Sequence, residues 1–147
     1  MLTGFLIVAM LSNAAPGEAV QPVSGHLAAG SVQLVRVDWA LEAHGAADAP
    51  RVVPDGIEIT ARFDPEDHSI RGRAGCNSFF AAYEVDGDRL STTDMGVTQM
   101  MCGPEVMEHE DAFLRILSLV ERYEISDDRL TLRASENRVL VFRRSES

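Results

Sequence analysis

Short segments that alternate apolar and polar residues, separated by turn residues, run through most of this chain. Alternation with a period of two is typical of a strand that buries one of its faces. Asp86-Gly87 is a strong hairpin signal, and Asp127-Asp128 marks another turn. Strands this short, joined by tight turns, favour a mainly antiparallel sheet. The predicted strands are 35–43, 57–63, 69–74, 79–85, 89–93, a short strand between Tyr123 and the Asp127-Asp128 turn, 129–134 and 138–143. The segment 45–56 between the first two is interpreted as a loop.

One segment has helical periodicity instead. Gly103-Pro104-Glu105 is a helix start, because proline has no N–H to leave unpaired in the first turn. An apolar face then follows at helical spacing, formed by Val106, Phe113, Leu117 and Val120. The predicted fold is therefore α+β: a compact, mainly antiparallel sheet of about six to eight short strands packed on one α-helix, at about 104–123.

The chain of 147 residues has room for one domain behind a leader. The apolar run Leu2 to Leu11 has the length of a signal-peptide core and is too short to span a membrane. Small residues follow it, so we predict a signal peptide at 1–19, cleaved after Ala19, although no basic residue precedes the run. A flexible linker at 20–31 and a domain at 32–145 complete the predicted organisation. No cysteine lies near the cleavage site, so the expected location is periplasmic or secreted, without a lipid anchor.

Charge excludes some partners. The formal net charge is -10, and all 13 basic residues are arginines. Such a surface repels phosphates, and no basic stripe compensates, so a nucleic acid partner is not expected. Anionic lipid surfaces are disfavoured for the same reason.

The two cysteines, Cys76 and Cys102, have 25 residues between them. In an oxidising compartment an even number of cysteines favours a disulfide. Two alternatives stay open: two free thiols packed as small apolar side chains, and a redox-active pair. A redox-active pair usually has two residues between its cysteines.

Soft-metal binding is the other chemistry that the sequence allows. Met100, Met101 and Cys102 are weak candidates for a copper site, because thioethers and thiolates suit monovalent copper. Methionines that fill gaps in the core are the simpler explanation. The four histidines lack the spacing of a zinc motif, and no motif of a nucleophile, phosphate loop or dinucleotide site occurs. We therefore expect no catalytic residue and no cofactor.

Several short motifs follow one another along the chain: Trp39-Ala40-Leu41, Phe63, Gly75-Cys76-Asn77, Phe79, Tyr83, Thr98-Gln99-Met100-Met101-Cys102, Glu110-Asp111-Ala112-Phe113-Leu114 and Leu130-Thr131-Leu132. Taken in this order, they resemble the META domain family, which includes the bacterial heat-shock protein HslJ. The resemblance extends from about Val32 to Arg144, and Ala81 departs from it where relatives usually carry glycine.

The resemblance implies a compact antiparallel sheet on one helix, without an established catalytic residue or cofactor. It also implies an association with envelope stress, antibiotic tolerance, motility or secretion. We therefore expect a non-enzymatic exported module that binds another protein or a small apolar ligand in the cell envelope. The alternative is a soft-metal or thiol-redox factor that uses the methionines and the cysteine pair.

Overall fold

The computed structural model describes residues 33–145. The predicted signal peptide and linker, and the first residue of the predicted domain, lie outside the described residues. The domain boundaries therefore stay predictions.

Nine strands form one antiparallel sheet within residues 33–145. Each predicted strand occurs, with its ends shifted by a few residues. The number of strands exceeds the predicted six to eight, partly because the predicted loop 45–56 contains the strand β2. The strands are β1 Asp38–Ala46, β2 Arg51–Val52, β3 Thr60–Asp64, β4 Ser69–Arg73, β5 Ser78–Asp86, β6 Arg89–Val97, β7 Val120–Ser126, β8 Arg129–Ala134 and β9 Arg138–Arg144.

The sheet closes on itself, which the sequence did not predict. β1 pairs with β3 on one side, where Trp39 lies opposite Ala61, and with β9 on the other, where Leu41 lies opposite Phe142. The strands β1 and β3 to β9 therefore make an eight-stranded barrel, and β2 pairs with the far end of β1. Closure leaves these strands with few free edges.

The helix α1, Pro104–Leu117, crosses one end of the barrel and packs on β9, β1 and β8. Pro104 occupies its first turn, as predicted, and Gly103 is its N-cap. The predicted end near 123 is wrong. Helical spacing continues by coincidence through Val120, but that residue begins β7 and pairs with Ala134 of β8.

The core fills the barrel and meets the helix. The side chains of Trp39, Phe63, Phe113 and Phe142 are fully buried. The ring of Phe113 meets that of Phe79 edge-on, with centroids 5.2 Å apart, so the helix contributes an aromatic side chain to the barrel interior. Such edge-to-face contacts are favourable beyond the area that they bury.

Candidate functional site

The motif Gly75-Cys76-Asn77 forms the turn between β4 and β5, next to the helix. Gly75 has φ 114°, a conformation that L side chains rarely adopt. A Cβ there would lie 3.4 Å from Val106 Cγ1. The glycine therefore lets the turn lie against α1.

Asn77 connects this turn to the segment that follows β6. Its Oδ1 accepts hydrogen bonds from Thr98 Oγ1 at 2.9 Å and from the Met100 N–H at 2.6 Å. Its Nδ2 donates to the Met100 carbonyl at 3.0 Å and to Glu110 Oε2 at 2.6 Å. The oxygen and the nitrogen of the buried Asn77 amide both form hydrogen bonds within the protein, so the side chain holds the two segments together.

Glu110 completes this network from the helix; the residue belongs to the family motif, but these contacts were not predicted from the sequence. Its Oε1 accepts hydrogen bonds from the backbone N–H groups of Cys76 at 3.0 Å and Asn77 at 2.7 Å. The side chain is 2% exposed. Position 110 lies four residues after Val106 and three before Phe113, on the predicted apolar face. An acidic residue on that face was the signal that could have identified it.

A disulfide joins Cys76 to Cys102, with Cα atoms 5.9 Å apart. It links the same two segments as Asn77 does. No free cysteine remains among residues 33–145. The copper alternative therefore loses its thiolate while the bond is intact, and Met100 and Met101 lie exposed to solvent.

The remaining family-motif residues are structural. Trp39 and Leu41 are buried in the barrel, and Phe113 is buried on the inner face of α1. Trp39 Nε1 donates to the Leu34 carbonyl at 3.0 Å, which satisfies its polar atom in the core. These contacts stabilise the core of the barrel.

A second buried polar contact, unpredicted from the sequence, joins β1 to the helix. His44 Nε2 and His109 Nδ1 lie 2.8 Å apart, and both residues are buried. The pKa of His44 is lowered from 6.5 to about 4, chiefly by burial and also by the neighbouring His109 and Arg51, while Glu108 opposes the shift. Arg51 in turn holds the pKa of the exposed Glu108 below its usual value through a hydrogen bond and its charge.

Within the part of the chain that the structure describes, no cluster of three or more histidine, cysteine or acidic side chains is arranged to hold a metal ion. No helix in that part is long and apolar enough to cross a membrane.

Comparison with known proteins agrees with this fold. The META domain family model matches residues 32–147. An NMR structure of a protein from Burkholderia xenovorans has 27% identity and a TM-score of 0.70, covering 93% of this chain and 100% of its own.

Two further solved structures share the fold alone. A protein known by NMR has 23% identity and a TM-score of 0.58, covering 76% of this chain and 92% of its own. A crystal structure of a DUF4847 family protein from Bacteroides vulgatus ATCC 8482 has 12% identity and a TM-score of 0.55, covering 78% of this chain and 96% of its own.

No curated protein matches the chain. The family match covers most of the sequence, and it agrees with the motif residues that build the turn, the disulfide and the core. The chain belongs to the META domain family.

Proposed function

We propose that this protein is a non-enzymatic exported binding module that contacts another protein of the cell envelope. The observation that carries the proposal is an exposed apolar surface beside the disulfide. We name it the methionine surface, and it consists of Phe80, Val97, Met100 and Met101, whose exposed fractions are 55%, 38%, 57% and 84%.

The methionine surface has a stable base. The ring of Phe80 lies over Gly96, where a Cβ would come within 2.4 Å of it. The backbone of Met100 is held on both sides by Asn77. The apolar side chains are thus presented by a fixed backbone, which lowers the entropy lost on binding.

A partner protein suits this surface better than a small ligand does. Phe80 and Val97 line a groove of about 720 Å³ formed by residues of β4, β5, β6 and the segment after β6. The groove is open to solvent and lined mainly by apolar surface, so a segment of a partner protein can lie along it. Methionine side chains adapt to varied apolar partners, and clustered apolar exposure typically marks a contact site.

The absence of enzyme activity is part of the proposal. The buried polar side chains of the motif, Asn77 and Glu110, form hydrogen bonds within the protein that hold the turn in place. The resemblance to HslJ makes envelope-stress factors the first class of partner to test.

The test is site-specific photocrosslinking in the producing cell. A photoreactive residue replaces Phe80 in one variant and Met101 in another. We expect both to form a crosslink to the same envelope protein. The matched control is Val52, which is 71% exposed on β2 and lies outside the methionine surface. The same crosslink from Val52, or no crosslink from the two test positions, would contradict the proposal.

The same cells test export. Intact mass after thiol alkylation is expected to show a chain that begins at Val20, with two alkylated cysteines only after reduction. A full-length chain with two free thiols would remove the exported part of the proposal. Turnover in a broad hydrolase and oxidoreductase screen would remove the non-enzymatic part.

A further inference from the structure

A second cavity, of about 420 Å³, lies between the helix and the end of the barrel. Arg51 lies opposite His44 in the pairing of β1 with β2, and Arg138 lies opposite Ala46 in the pairing of β1 with β9. Cross-strand partners project from the same face of a sheet. The strands therefore place two guanidinium groups on the face that carries His44, and all four residues line the cavity.

The helix supplies the opposite wall. Ala112, Arg115 and Ile116 line the cavity at helical spacing, and Leu119 follows just beyond the helix end. This wall is apolar except for Arg115. One side of the cavity is thus polar and basic, and the other is mainly aliphatic.

The cavity is basic in an acidic protein. Three arginines line it against one glutamate, in a chain of net charge -10. Arg51 pairs with Glu108, and Arg115 lies 3.8 Å from Glu136. Arg138 forms no ion pair with any residue in the described range. Its charge is available to an anion.

His44 adds a directed polar atom. The residue is 3% exposed, and its Nε2 is occupied by His109. Among the described side chains, His109 Nε2 is the one enclosed polar atom without a partner. His44 Nδ1 makes no hydrogen bond within residues 33–145, and His44 lines the cavity.

The unpartnered Nε2 of His109 favours one arrangement of the ring protons of His44 and His109. A buried N–H without an acceptor is rarer and more costly than a buried acceptor without a donor. Of the two neutral arrangements, the one that leaves no enclosed N–H without an acceptor has the His109 proton on Nδ1, donated to His44 Nε2. His44 is left with its proton on Nδ1, which makes that atom a hydrogen-bond donor.

We propose that this cavity binds a small organic anion, a carboxylate joined to a short apolar body. The Arg138 guanidinium and the His44 Nδ1–H hold the carboxylate, and Ile116 and Leu119 contact the apolar body. Arginine pairs with carboxylates through two parallel hydrogen bonds. The site is separate from the methionine surface and independent of the function proposed there.

The test uses hexanoate as the probe on the full chain, followed by NMR of the backbone amides and calorimetry. We expect saturable binding, with the largest shifts at Ala112, Arg115 and Ile116. Hexanol keeps the apolar body without the charge, and inorganic phosphate keeps charge without the body. Both are expected to bind at least about tenfold more weakly.

Arg138→Gln is expected to weaken hexanoate binding about tenfold, because it removes one charge-assisted contact. Arg122→Gln is the matched control, since Arg122 is also a surface arginine but pairs with Asp88 outside the cavity. Folding of both variants is checked by their amide spectra. A direct readout of His44 is its ring ¹⁵N spectrum, which should show the Nδ1–H tautomer before and after binding.

Three results would overturn the proposal. One is the absence of saturable binding, another is equal affinity for hexanoate and hexanol or for hexanoate and phosphate, and the third is undiminished affinity in Arg138→Gln. None of them affects the photocrosslinks expected from Met101, so the two proposals can fail separately.

Discussion

At the scale of single residues, one carboxylate ties the helix to the barrel. Glu110 accepts three hydrogen bonds, and all of their donors belong to Cys76 and Asn77. Hydrogen bonds to an ionised group are stronger than neutral ones, and a buried donor that loses its acceptor is costly. The contribution of Glu110 therefore depends on its charge as well as on its shape.

Glu110→Gln preserves the size of the side chain but places an amide NH₂ against groups that also donate. We expect the free energy of unfolding to fall by about 3 kcal/mol, measured by urea denaturation. Asp111→Asn, at the exposed neighbouring position, is the control and should change stability by less than about 0.5 kcal/mol. Equal effects of the two substitutions would mean that Glu110 acts only through the general charge of the helix.

The lowered pKa of His44 makes the free energy of unfolding depend on pH. Its pKa is about 4 in the folded protein against 6.5 ordinarily, so the unfolded chain binds more protons between these values. The contribution of His44 is therefore complete above pH 6.5 and is lost as the pH falls towards 4, with a slope of at most about 1.4 kcal/mol per pH unit.

The measurement is an NMR titration of the His44 ring, with urea unfolding of the protein at several pH values in that interval. The ring should stay neutral until the pH approaches 4. A midpoint near 6.5 would contradict the predicted burial and the contact with His109.

At the scale of elements, the connection from β6 to the helix is attached to the β4–β5 turn in two ways. The Cys76–Cys102 bond joins the segments covalently, and Asn77 joins them through hydrogen bonds. A disulfide acts mainly on the unfolded chain, whereas hydrogen bonds act on the folded one. Loss of the first should therefore weaken the domain without changing its structure.

Cys76→Ala with Cys102→Ala is expected to lower the free energy of unfolding by about 3.5 kcal/mol, the value of the chain-entropy model for a loop closed at a separation of 26 residues. Urea unfolding with and without reductant measures it. The original protein should lose a similar amount in reductant, and the double variant should not respond to reductant at all. A response of the double variant would show that reductant acts elsewhere.

Most elements could be predicted from the sequence because their signals are local. Alternation, Asp86-Gly87 and Pro104 each act within a few residues, and the strands and helix start follow from them. The end of the helix could not be predicted. Val120 suits both an apolar helix face and a buried strand, and its pairing with Ala134 settles the choice through a contact distant in sequence. The two-residue strand β2 is too short to show a period.

At the scale of the whole molecule, the barrel and the candidate sites depend on contacts that no local pattern encodes. His44 and His109 are 65 residues apart and meet only because the helix crosses the barrel end. Glu110 was visible as an acidic residue on an apolar face, but its partners were not. The motif residues could be identified by resemblance, whereas the basic cavity required the register of β1 against β2 and β9.

The pairing of β1 with β9 has a consequence for synthesis. Of the barrel strands, β1 leaves the ribosome first and β9 last, so the barrel cannot close until β9 has been translated. Contacts between such distant segments form slowly, because a long loop must be ordered before they can form. For a chain proposed to cross a membrane, late closure of the barrel favours translocation before folding is complete.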